Sequence, residues 1–135
     1  MRYLILILFT VHFVHCSDTG ACDITDYIGQ VSGSFVDGQC NPQMLPSNFE
    51  LVEDVSASND RLLGVVNGEI VYEVQTNGMG TAGCNISLRA PRDSDFNLFS
   101  DAGLITRSGE ISFIITVQDS AGNETDCEYI GSIAQ

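Results

Sequence analysis

Apolar and polar residues alternate with a period of two along much of this chain, and apolar spacing at i, i+3, i+4 and i+7 persists nowhere for three helical turns. The clearest run is Glu110 to Gln118. Ile111, Phe113, Ile115 and Val117 share one face there, Ser112, Thr116 and Gln118 take the other, and Ile114 alone interrupts the pattern. In Glu69 to Gln75, Ile70, Tyr72 and Val74 face away from Glu69, Val71 and Glu73. Phe49 and Leu51 flank Glu50, Phe96 and Leu98 flank Asn97, and Leu62 to Val66 and Glu128 to Ile133 complete the set. Asn67-Gly68, Asn77-Gly78-Met79-Gly80, Asp101-Ala102-Gly103 and Ser108-Gly109 supply turn signals between them. Short strands punctuated in this way predict an all-β domain, an antiparallel β-sandwich of about seven strands.

The first residues follow another rule. Arg2 precedes an apolar run from Leu4 to Phe9, continued by Val11, Phe13 and Val14 and ended by Ser17-Asp18-Thr19-Gly20. The run is too short for a membrane span, which needs about 20 residues, and reads as a signal peptide over 1–16, with a cut one or two residues later equally defensible. The remainder, 17–135, is one domain. Cleavage removes Cys16, leaving Cys22, Cys40, Cys84 and Cys127, an even set suited to an oxidising compartment. It also removes both histidines, His12 and His15, and with them histidine-dependent nucleophilic and zinc chemistry.

Charge narrows the partners. The chain has 5 Lys+Arg, none of them lysine, against 18 Asp+Glu. Without Arg2 the balance is 4 − 18 = −14, which argues against nucleic acid and anionic membrane surfaces, since both rely on basic residues. Asn85-Ile86-Ser87 and Asn123-Glu124-Thr125 are N-glycosylation sequons, making Asn85 and Asn123 acceptor candidates. Asp93, Asp95, Asp119 and Asp126 offer oxygen ligands for calcium, but without EF-hand spacing they read as solvated carboxylates. No pair of acids is placed by the sequence at a glycosidase's working distance, so no enzyme, no metal and no cofactor is expected.

From the strand Glu110 to Asp119, through the turn Ser120 to Glu124, to Cys127 and a short closing strand, the chain resembles the ML lipid-recognition domain family, which includes a sterol carrier and the group 2 mite allergens. Gly38-Gln39-Cys40-Asn41-Pro42, the strand from Phe49 to Val55, the segment Leu63 to Ile70 before Cys84, and Asp95-Phe96-Asn97-Leu98 with Leu104 extend the likeness inward. It implies an immunoglobulin-like sandwich splayed around an apolar cavity, and a bridge between the first and last cysteines, Cys22 and Cys127. The near partners of the family's other cysteines are absent, which leaves Cys40 and Cys84 to pair with each other or stay free.

On this resemblance the inward faces become a ligand lining: Phe49, Leu51, Val65, Ile70, Tyr72 and Val74 from the first half, then Phe96, Leu98, Leu104, Phe113, Ile115 and Val117. The expected function is a secreted, monomeric carrier of a sterol, fatty acid or other uncharged lipid, with a membrane or receptor as transfer partner and an endolysosomal compartment as the alternative destination. Arg89 and Arg92 are the candidates for a carboxylate or phosphate contact, with Asp93 and Asp95 as their alternative neutralising partners. A second class is open: Val117 to Cys127 also resembles the end of a hyalin-type extracellular adhesion module with a closed core.

Overall fold

The computed structural model describes residues 22–36, 40, 46–57, 61–94 and 97–134. The expected leader at 1–16, Asp95 and Phe96 lie outside them. After one 3₁₀ turn at Ile24–Tyr27 come eight strands: β1 (Gly29–Phe35), β2 (Asn48–Glu53), β3 (Arg61–Val66), β4 (Glu69–Met79), β5 (Gly83–Arg89), β6 (Asn97–Thr106), β7 (Glu110–Gln118) and β8 (Glu124–Ala134). Each pairs antiparallel with the next. β8 returns to β1 in a register running from Gln30↔Ala134 to Phe35↔Tyr129, which closes the sheet. The domain is therefore all-β as the alternation predicts, but it is a closed eight-stranded barrel, not a seven-stranded sandwich. Two strands outside the six strongest alternating runs make the difference: β1 bridges β2 and β8, and β5 bridges β4 and β6. With both in place no strand edge is left unpaired.

An eight-stranded barrel has a lumen that side chains can just fill or that can hold one small ligand. Here aromatic rings occupy it. Phe113 and Tyr129 stack 4.5 Å apart and 7° from parallel, Phe49 meets Tyr72 edge-on at 5.0 Å, and Phe35 meets Tyr129 at 5.2 Å. Two glycines make room for Tyr129: a Cβ on Gly33 would sit 2.6 Å from its Cζ, and one on Gly131 2.8 Å from its Cε1. These glycines face each other across the β1–β8 ladder. Burial of each ring contributes about 1.5–3 kcal/mol.

Both hydroxyls in this cluster point toward the residues just before β2. Tyr129 donates to the Ser47 carbonyl at 2.6 Å and Tyr72 to the Pro46 carbonyl at 3.1 Å. Burial raises the Tyr129 phenol to about 12 and raises Tyr72 further still, the neighbouring Tyr129 adding to the second shift. The fold thus favours the neutral phenols. Their contribution is complete below the unfolded phenol pKa of about 10 and is lost as pH rises through the folded value. The urea midpoint should accordingly fall between pH 9 and about 12 when measured within minutes of transfer, and Tyr129→Phe should flatten that fall. A pH-independent midpoint would contradict the buried phenols.

Two disulfides staple opposite ends. Cys22 joins Cys84 across 62 residues, at the end where β1 and β5 begin, and Cys40, between β1 and β2, joins Cys127 near the start of β8 across 87 residues. This corrects the bridge between Cys22 and Cys127 that the resemblance implies, and Cys40 and Cys84 neither pair with each other nor stay free. Cys84 and Cys127 project into opposite ends of the lumen, so each takes the cysteine that lies over its own end.

Candidate functional site

Seven of the twelve expected lining residues do meet inside the barrel: Phe49, Leu51, Tyr72, Val74, Leu98, Phe113 and Ile115 are all buried. Packed against one another, they form the hydrophobic core. Val117 is partly buried and packs against this core, and Phe96 lies outside the described residues. The remaining three are corrected. Register shifts lie between Gly64 and Val65 in the β3–β4 ladder and between Phe99 and Gly103 in the β6–β7 ladder. A bulge of this kind adds a residue and reverses which side chains face inward. On β6 the inward set passes from Leu98 and Ser100 to Ile105, which turns Leu104 outward; on β4 the extra residue is Val71, which packs against the core and leaves Ile70 46% exposed, while Val65 is half-exposed because β3 alternates unbroken from the inward Leu62 and Gly64.

Two of the four carboxylates considered for calcium are occupied otherwise, and Asp95 lies outside the described residues. Asp119 accepts hydrogen bonds from the Ala121 and Asn123 amides at 2.8 and 2.9 Å and from Asn123 Nδ2 at 2.9 Å, which closes the β7–β8 turn. These bonds, the Asn123 side chain first, hold its carboxyl below the usual range. Asp126 accepts from the Thr116 hydroxyl at 2.7 Å. Among the described residues no three metal-ligating side chains gather.

A charged groove lies on the outer wall. Arg61 opens β3 opposite Gln75, Gln75 faces Ser87, and Glu73 faces Arg89. Same-face residues on paired strands lie about 5 Å apart, so the stagger carries the end of β5 alongside the start of β3. Arg92 enters from the connection after β5. Together Arg61, Glu73, Gln75, Ser87, Arg89 and Arg92 line a groove of about 370 Å³. The row Leu63, Glu73, Arg89 and Phe99 crosses beside it, adding two half-buried apolar side chains.

The three arginines differ in state. Arg61 is tethered, its Nη2 2.9 Å from Glu73 Oε2 and its Nε 3.8 Å from Asp54 Oδ2. Asp54 accepts from the Ser56 hydroxyl at 2.6 Å and the Ser56 amide at 3.1 Å. The Ser56 hydroxyl, with smaller help from its amide and from Arg61, keeps that carboxyl below its ordinary value. Arg89 and Arg92 are exposed, and among the described residues neither makes an ion pair or hydrogen bond; Asp93, beside Arg92 in sequence, pairs with neither. Three guanidinium groups and one carboxylate thus share a groove on a strongly acidic chain. Arg89 and Arg92 were legible in the sequence as anion contacts, whereas Arg61 joins them only through the register of three strands.

No protein-family model matches this chain, and neither the curated proteins nor the solved structures contain a match to it. The groove and the lumen must therefore be read from their own chemistry. Among the described residues no helix is long and apolar enough to cross a membrane, and the two disulfides fit an oxidising compartment.

Proposed function

We propose that the protein is a secreted binding module that recognises a small ligand bearing a carboxylate or phosphate in the groove of Arg61, Arg89 and Arg92, with Leu63 and Phe99 beside an apolar part of that ligand. Secretion rests on the leader-like N-terminus and the disulfides. The observation that carries the ligand class is that Arg89 and Arg92 are exposed and pair with no acid among the described residues. In a chain with 18 acids, exposed guanidinium groups without a carboxylate partner among the described residues favour an anion supplied from outside. Arg89 and Arg92 present planar donor forks suited to carboxylate or phosphate oxygens, and Arg61 is already oriented by Glu73. The surrounding negative charge disfavours long polyanions and restricts the reading to a compact head group.

A second reading keeps the expected lipid or sterol carrier of the ML type, with ligand inside the barrel. The convergence of seven expected lining residues in one apolar lumen favours it. It requires a ligand to displace the Phe113–Tyr129 stack.

One titration separates the two. Octanoate and inorganic phosphate added to isotopically labelled protein should shift amide resonances of Arg61, Glu73, Gln75, Ser87 and Arg89, and Arg89→Ala with Arg92→Ala should weaken binding at least about tenfold, since each charge-assisted hydrogen bond is worth about 1.5–3 kcal/mol. The unfolding midpoint should not change, because both side chains are exposed. Shifts confined to lumen residues such as Phe113 and Tyr129, together with lipid recovered by solvent extraction, would favour the carrier. No shift with either probe would refute the groove.

A further inference from the structure

The outer wall on the other side of β5 from the charged groove carries an apolar patch whose position bears on one of the two sequons. Ile114 on β7 and Ile130 on β8 point outward and are 49% and 52% exposed. Leu104, turned outward by the β6 bulge, lies between β5 and β7, and the register sets Asn85, Leu104, Ser112 and Ile130 in one row across four strands. A groove of about 360 Å³ runs along this row, lined by Asn85 at one side, by Ala102, Leu104, Ser112 and Ile114 beyond it, and by Glu128 next to Ile114. Apolar side chains gathered on an otherwise acidic wall call for a cover.

The two acceptor asparagines are not equivalent. Asn123 is built into the β7–β8 turn, where its Nδ2 donates to Asp119. Asn85 stands exposed on the outer face of β5, and its amide makes no hydrogen bond among the described residues. Ser87, two residues on, projects from the same face because side chains alternate along a strand. The first sugar on Asn85 would start directly opposite Leu104, at one side of the groove.

We infer that Asn85 carries an N-linked glycan whose first residues lie in the groove over Leu104 and Ile114 and shield the patch from water. In the attachment step the Asn85 amide nitrogen bonds to the anomeric carbon of a lipid-diphosphate-linked oligosaccharide. The anomeric C–O bond to the diphosphate breaks, the lipid diphosphate leaves with the bonding pair, and the amide loses one proton. The C–H faces of a pyranose and the methyl of an N-acetyl group are apolar, which matches Leu104, Ile114 and Ala102, while the ring hydroxyls remain in solvent. This inference depends on the secretory part of the proposed function and not on the arginine groove.

The full chain should be expressed through the secretory route of glycosylating cells, with intact glycopeptides mapped by mass spectrometry. Asn85 should be occupied. Enzymatic removal of the glycan from the folded protein should raise binding of a hydrophobic dye several-fold or cause self-association, and Leu104→Ser with Ile114→Ser should abolish that rise; removal after folding avoids reliance on Asn85→Gln, which is open to misfolding. A bare Asn85 in a secreted protein with the leader removed, or an occupied Asn85 whose removal leaves dye binding unchanged, would overturn the inference while leaving secretion intact. A chain retained in the cell with its leader uncut and both sequons bare would overturn the secretory reading as well.

Discussion

Replacing Tyr129 with alanine is expected to lower the unfolding free energy by about 3–5 kcal/mol, the range for deleting a fully buried aromatic side chain. Domains of this kind are stable by only about 5–15 kcal/mol, so this single change would remove a large part of the margin. The ring is fully buried, stacks on Phe113, meets Phe35 and Phe49, and occupies the space left by Gly33 and Gly131. None of these neighbours can close the gap alone, because both glycines lie in a ladder fixed by backbone pairing. Tyr129→Phe keeps the ring, loses the hydrogen bond to the Ser47 carbonyl, and should cost about 1 kcal/mol. Urea denaturation of the three proteins provides the measurement. A loss below about 1 kcal/mol for the alanine variant would mean that the stacked cluster does not hold the barrel together.

The second large effect is expected from Cys40→Ala with Cys127→Ala. Opening a link across 87 residues removes about 4–5 kcal/mol in the chain-entropy account. The bridge also anchors the β1–β2 connection, whose Pro46 and Ser47 carbonyls receive the two buried tyrosine hydroxyls. Its loss should therefore loosen the lumen at that end and reduce protection of the Tyr72 and Tyr129 amides from hydrogen exchange. Peptide mapping without reduction should recover Cys40 linked to Cys127 and Cys22 linked to Cys84. Recovery of Cys22 linked to Cys127 would reject the arrangement and return weight to the ML-type pairing.

Much of the barrel is visible in the sequence where one rule operates alone. Glu110 to Gln118 alternates with Ile114 as its one exception and becomes β7 with those bounds, and Glu69 to Gln75 becomes the first part of β4, its alternation holding from Tyr72 onward. β1 is hard to see because its inward positions include Gly33, a residue chosen for what it leaves empty, so the apolar signal of the strand resides on Tyr129 in another part of the chain. β5 alternates well through Cys84, Ile86 and Leu88, but a cysteine and a sequon compete for the same residues. With both strands faint, the number of strands and the closure of the sheet were out of reach.

The site errors have a different origin. Period-two reading assumes an unbroken pleat, and a single bulge reverses every assignment beyond it. Ile70 was read on the face of Tyr72 for that reason, and the extra residue Val71 turns it outward; Leu104, placed inside by the resemblance, is turned outward by the bulge in β6. The charged groove shows the complementary limit. Arg89 and Arg92 are close in sequence, whereas Arg61 reaches them only because β3, β4 and β5 are staggered, a property of the closed sheet that no local segment contains.

The strict division between lumen and wall has a bearing on how such a protein diversifies. On β5, Cys84, Ile86 and Leu88 face the packed interior, and Asn85, Ser87 and Arg89 meet the surroundings. Odd and even positions of one short strand therefore answer to separate selective pressures. A lineage of such barrels can exchange one partner for another at the outward positions while its folding determinants stay untouched, and sequence similarity among its members would survive mainly as an every-other-residue pattern.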